Sequence, residues 1–207
     1  MSPEQIESLF TGADGRYFFA RWGRAVAPVV FGVDDATLEV ISAAMHRATA
    51  LAGAEMAETD PELGANLMLF FFREWDEVKE VPKLGEMIPD PGALVERLKA
   101  ADAQQYRSFR FDEAGAIKAC FSFVRMGGAL GEVAADALAM GEALGALLAW
   151  AKAPPLARDA RGQVGPRPEI ARLIAAAYDP TMPDSARDAS HALRLWARME
   201  AADGQAG

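Results

Sequence analysis

Apolar positions along this chain follow two rhythms, and the switches between them mark its elements. "AVAPVVFGV" (25–33) is rich in strand formers, and Pro28 places it at a sheet edge or at the start of a strand. "DDATLEVISAAMHRATALAG" then takes up a helical period, with Leu38, Ile41, Met45, Ala48 and Leu51 on one face. Asp34 or Asp35 can accept from the free amides of its first turn, and Gly53 supplies a stop. "AEMAETD" reads as a short strand. "GANLMLFFF", Gly64 to Phe72, is apolar without alternation, which predicts a central strand covered on both faces.

"REWDEV" reads as a helical turn, "KLGEMIPDPG" as a loop and "ALVERLKAAD" as a short helix. Alternation returns in "QYRSFRF" and "AIKACFSFVRM", which flank "DEAG" as a hairpin. Ile117, Ala119, Phe121 and Phe123 share one face, and Lys118, Cys120 and Ser122 the other. Arg110 goes with Tyr106 and Ser108, while Arg107 points the opposite way. The turn "GGALGE" leads into a helix from Ala134 to Lys152. "APPLARDARGQVGPRP" predicts a long loop without regular structure. "PEIARLIAAAY" and "DSARDASHALRLWARMEA" are closing helices separated by "DPTMP", and "DGQAG" is a frayed tail.

The order of elements predicts the α+β class: one mixed sheet with packed helices and a helical C-terminal part. The divisions are a helix or tail over 1–24, a mixed core over 25–153, a loop over 154–168 and C-terminal helices over 169–202. All belong to a single domain.

Composition narrows the partners. Lys and Arg total 21 against 30 Asp and Glu, a net charge of −9 that gives phosphate backbones no general attraction. "RYFFARWGR", Arg16 to Arg24, could stack on nucleobases, but the charge favours aromatic anchoring of the N-terminal segment, with its arginines pairing acids. The N-terminus lacks the positive charge of a signal peptide, and no apolar run reaches the ~18 residues of a membrane span. With one cysteine, Cys120, no intrachain disulfide forms, which fits a cytoplasmic protein. The partners left are an unidentified protein or small ligand, with homo-oligomerisation open. No cofactor is indicated.

"MGEALGALLAW" is the unusual stretch. Between Asp136 and Lys152 its only charge is Glu142, so the helix should be buried. Each interior glycine costs about 1 kcal/mol against alanine. Gly141 and Gly145 therefore require a reason, and a flat groove for a neighbouring strand or helix is a sufficient one.

"GEALG" also resembles HExxH, the zincin signature in which two histidines one turn apart hold Zn²⁺ and the glutamate activates water. The surrounding segments, "VVFGVDDATLEVISAAMHRATALAG", "GANLMLFFF", "IKACFSF", "GEALGALL" and "YDPTMP", resemble a bacterial family of uncharacterised zincin-like proteins. That similarity spans roughly Val26 to Trp196. It implies a zincin-like N-terminal subdomain, with 141 and 145 as vacated metal positions around a retained Glu142. Members of that family are exported, whereas this chain shows no signal peptide.

Glycine has no side chain to offer a metal, and the chain has only two histidines. His46 and His191 lie apart within helices and read as surface or boundary residues. Cys120 alone cannot build a zinc site, and a buried thiol is inert. Zinc hydrolysis of the HExxH type is therefore excluded. Gly128-x-x-Gly131 lacks a full dinucleotide fingerprint and reads as a plain strand-to-helix turn.

The sequence favours a non-catalytic binding or interaction module. One alternative is a metal-independent enzyme using Glu142 as general acid or base. Another is an oligomer subunit whose Gly141/Gly145 groove receives a partner helix. Arg107, Arg110, Lys118 and Arg125 are the candidate pocket or ion-pair residues for Glu142.

Overall fold

The computed structural model describes residues 1–205, with side chains through residue 202. Its fold is α+β, built on a four-stranded mixed sheet. The first elements are helix α1 (Pro3–Phe10), strand β1 (Phe19–Ala20), strand β2 (Pro28–Phe31) and helix α2 (Asp35–Ala52). Asp34 caps α2 by accepting from the Thr37 amide, and Gly53 ends it at φ 63°. Ile41, Met45 and Ala48 are buried as the helical period requires. Leu38, in the first turn, is instead 41% exposed.

β3 (Leu67–Phe72) lies between β2 and β5 (Ile117–Arg125), parallel to both, and β4 (Gln105–Phe111) closes the other edge antiparallel to β5. Pro28 starts the edge strand β2, where its missing N–H breaks no ladder bond. The unbroken apolar run of β3 does what it should. Leu67, Leu69 and Phe71 enter one core, and Phe70 and Phe72 enter a second core on the opposite face.

The second core is closed by a 3₁₀ turn (Trp75–Glu80), a short helix α3 (Leu84–Met87) and helix α4 (Pro91–Ala100). The segment expected to be a loop thus carries α3. The strand expected in "AEMAETD" shrinks to a single bridge between Val26 and Met56. Ile117 does not share the face of Ala119. A register shift between Arg110 and Phe111 turns it into the core that holds Cys120.

On the first face α2 packs against α5 (Ala135–Leu147). This helix stops five residues short of the expected Lys152, because side chains capture its last carbonyls. Trp150 Nε1 donates to Leu144 (2.9 Å), Trp22 Nε1 to Ala146 (2.8 Å) and the Tyr178 hydroxyl to Leu147 (2.6 Å).

The Pro/Gly segment after α5 is a β-hairpin rather than an irregular loop. Its strands are β6 (Leu156–Arg158) and β7 (Val164–Pro166). Asp159 accepts from the amides of Arg161 and Gln163, and Gly162 takes φ 79°, so turn chemistry holds the pair together.

Helix α6 (Pro168–Ala177), strand β8 (Ser185–Ala186) and helix α7 (Ser190–Gln205) follow. β8 pairs with β1, and α1 packs on α7, so residues 1–24 are tied to the C-terminal part. Tyr17, Phe19 and Trp22 are buried, while Arg21 pairs with Asp184 and Arg24 with Asp60 and Glu62. α7 is helical through Gln205, and the rest of the expected frayed tail, residues 206 and 207, lies outside the described residues. Among the described residues no helix is long and apolar enough to cross a membrane.

Candidate functional site

The β4–β5 register sets up the surroundings of Glu142. Arg107 stands opposite Ser122, and Gln105 opposite Val124, so Gln105, Arg107 and Ser122 all leave the sheet on the face covered by α5. There they meet the one carboxylate of the buried helix face. Arg107 Nη2 donates to Glu142 Oε2 at 2.8 Å, Ser122 Oγ to the same oxygen at 2.5 Å, and Gln105 Nε2 to Oε1 at 2.8 Å. Glu142 is 1% exposed. Both of its oxygens are engaged, so the cost of burying it is offset by hydrogen bonds and by one cation.

Of the four cations proposed from the sequence, only Arg107 reaches this carboxylate. Arg110 lies on the opposite face, as its alternation requires, and donates to the Met87 carbonyl. Lys118 pairs with Glu62 at 2.5 Å, and Arg125 with Asp102 at 2.8 Å. Each is taken by a nearer acceptor at the sheet margin.

Burial works against the charge on Arg107, but Glu142 outweighs it and holds the guanidinium above its ordinary range. Beside them Cys120 is fully buried. Burial pushes its thiol up to about 12, with Arg107 and Glu142 acting in opposite senses, so it is no nucleophile.

The two glycines of α5 have different reasons. A Cβ on Gly145 would sit 2.3 Å from Arg107 Nη1 and 2.7 Å from its Cζ, so the guanidinium lies flat against the bare helix backbone. A Cβ on Gly141 would meet only Leu156 Cδ1, at 3.9 Å. The expected groove is therefore half real, and a side chain of the sheet fills it rather than another backbone.

A paired prediction follows. Gly141→Ala should stabilise the protein by up to about 1 kcal/mol through helix propensity. Gly145→Ala should destabilise it by about 1–2 kcal/mol, since displacing the guanidinium outweighs that gain. Urea denaturation of the two variants decides it, and equal shifts in the same direction would refute the asymmetry.

Above Arg107 the surface opens into a cleft of about 890 Å³. Its lining includes Arg107, Gly145, Tyr17, Phe18, Phe109, Phe111, Trp150 and Arg187, together with Glu7 and Asp14. Glu142 does not line it. The carboxylate lies beneath the floor, and Arg107, whose side chain is 22% exposed, is the group between Glu142 and the cleft. Phe18 and Phe111 meet edge to face at 5.0 Å, and the Arg187 guanidinium stands 5.0 Å from the centre of the Phe18 ring.

The sequence reading singled out Arg107 but missed this cleft. Its walls come from the N-terminal segment, the β4 edge, the end of α5 and the β8–α7 connection, regions far apart in the sequence. The aromatics of "RYFFARWGR", of which Tyr17 and Phe18 line the cleft, were the one signal available.

Other candidates resolve as structure. Gly131 N donates to the Gly128 carbonyl inside a 3₁₀ turn (Ala129–Glu132), as a plain strand-to-helix connection would have it. His46 is exposed. His191 is not a surface or boundary residue: it is 2% exposed, with Nδ1 2.8 Å from the Tyr17 hydroxyl. Its place on the inward stripe of α7, over Phe19, buries it. Among the described residues no group of three or more His, Cys, Asp or Glu could hold a metal ion. Comparison with protein-family models, with curated proteins and with solved structures gives no match.

Proposed function

We propose that this chain is a non-catalytic binding module whose ligand site is the cleft above Arg107. One observation carries the reading: the only carboxylate of the buried helix face is saturated by Arg107, Gln105 and Ser122, and lies under the cleft floor. A general acid or base must reach the proton it moves, directly or through one water. Glu142 instead acts as a fixed counter-ion that orients Arg107. On the zincin-like resemblance this is a retired site, with a guanidinium lying against one of the two vacated positions. The oligomer reading is weaker, because Arg107 and Leu156 of the same chain already lie against Gly145 and Gly141.

The test is a fragment screen read by amide NMR on wild type and Glu142→Gln. Fragments should shift the signals of Gly145, Phe109 and Trp150 and be recovered chemically intact after long incubation. A fragment converted by wild type but not by Glu142→Gln would establish the acid–base enzyme instead. A screen with no fragment at the cleft would refute the binding module.

A further inference from the structure

Arg107 is bound on one side only. Nη2 holds Glu142, but Nε is buried without a partner, and Nη1 makes no hydrogen bond among the described residues. A guanidinium carries five N–H donors in a rigid fork that matches a carboxylate. Here Glu142 fixes the fork from behind, and Gly145 removes the Cβ that would displace it. Nε is sealed off, so Nη1 is the donor that stands pre-oriented at the floor of the cleft, and a pre-oriented donor loses little entropy on binding.

The rest of the cleft limits what the fork can meet. Arg187 is exposed, contacts the Phe18 ring and forms no ion pair among the described residues, so an unneutralised cation faces the space beside the paired Arg107. The half-buried rings of Phe18, Phe109 and Trp150 supply flat apolar walls. Glu7 and Asp14 also line the cleft, but Asp14 pairs with Arg16 in the same lining at 3.7 Å, and Glu142 takes part of the charge of Arg107, so the fixed charges about the cleft are balanced. That balance accommodates one added negative charge and disfavours a polyanion. A volume of about 890 Å³ is ample for a small organic molecule.

We infer that the cleft takes a small aromatic monocarboxylate. Its carboxylate accepts from Arg107 Nη1 and faces Arg187, and its ring lies along Phe18, Phe109 and Trp150. This inference rests on the reading of the chain as a binding module and adds the chemical class of the ligand.

The probe is 2-naphthoate, titrated calorimetrically into the full chain, with neutral 2-naphthamide and inorganic phosphate as comparisons. Saturable naphthoate binding is expected, with naphthamide at least tenfold weaker and phosphate without a saturable signal. Arg187→Ala, an exposed substitution, should weaken naphthoate several-fold while leaving naphthamide unchanged. Arg107→Gln combined with Glu142→Gln, which removes both buried charges together, should abolish the preference for the acid. Equal affinity for acid and amide, or naphthoate binding unaffected by Arg187→Ala, would overturn the inference. Binding of both probes at the cleft without preference would leave the binding-module reading standing. A stronger response to phosphate than to naphthoate would identify an oxyanion site of a different class and would also refute the proposal.

Discussion

Arg107→Met should destabilise this protein by about 3–5 kcal/mol near neutral pH, the range for removing one partner of a buried ion pair. The Glu142 carboxylate, 1% exposed in the native chain, would have only Gln105 and Ser122 left to face it. Neither neutral donor replaces the cation. Glu142→Gln should cost less, about 1.5–3 kcal/mol, the value of hydrogen bonds to a charged group. The difference arises because Arg107 borders the cleft and can turn toward water, whereas Glu142 has no such route. The double variant Arg107→Met/Glu142→Gln should therefore lose clearly less than the two single losses combined. Urea denaturation of the four proteins gives this cycle. Strict additivity, or an Arg107→Met variant within about 0.5 kcal/mol of wild type, would show that the pair does not hold the helix to the sheet.

The parts of the fold legible in the sequence are those where a local pattern and its tertiary role coincide. α2 carries its own cap and stop, Asp34 and Gly53, and these act as read. β3 is apolar throughout because both of its faces are covered, and no other arrangement of a strand demands that. The hairpin β4–β5 is written in its alternation, apart from the shift at Arg110/Phe111 that turned Ile117 over. Where tertiary contacts decide, the sequence is silent. The end of α5 depends on Trp22 and Tyr178, which reach its carbonyls from more than thirty residues away in either direction. The β6–β7 hairpin is hidden among prolines and glycines, although Asp159 and Gly162 are turn formers whose spacing can be recognised once the pairing is known.

For the site, one inference from sequence reached as far as it could. A lone glutamate on an apolar helix needs a partner, and the hairpin facing that helix offered four cations. Period-two alternation separated Arg107 from Arg110, but it could not say that Lys118 would turn to Glu62 and Arg125 to Asp102. Those choices depend on loops, not on strand phase. The glycines were legible as an anomaly and not as an explanation. A bare helix position fits a close-packed backbone, a vacated metal site and a flat guanidinium equally well, and only the position of Arg107 separates them.

His191 makes the second large prediction, and its effect has a pH signature. Burial first, then the nearby charge of Arg194, lowers its pKa from an ordinary 6.5 to about 4. The Tyr17 hydroxyl lies 2.8 Å from Nδ1, while Nε2 is buried without a partner, so nothing at the ring compensates a positive charge. Above pH 6.5 the imidazole is neutral whether the chain is folded or not, and stability does not depend on it. As pH falls below 6.5 the unfolded chain binds a proton that the folded chain refuses, and stability declines until the folded value near 4 is passed. A shift of this size amounts to about 3 kcal/mol lost across that window.

The buried carboxylate Asp60 titrates elsewhere. Desolvation raises it, but the amides of Leu63 and Glu62, the Asn66 side chain and Arg24 outweigh that and hold it at about 2. Its contribution is lost only as pH falls from the unfolded value of 3.8 through 2, below the histidine window. Urea denaturation of wild type and His191→Gln at pH 7.5 and pH 4.5 isolates the histidine, because the remaining groups are common to both proteins. Wild type should lose about 2–3 kcal/mol more than the variant between these two conditions. Parallel loss in both proteins would mean that the folded chain accepts the proton on His191 without penalty, and that the core around Tyr17 and Phe19 is open enough to solvate it.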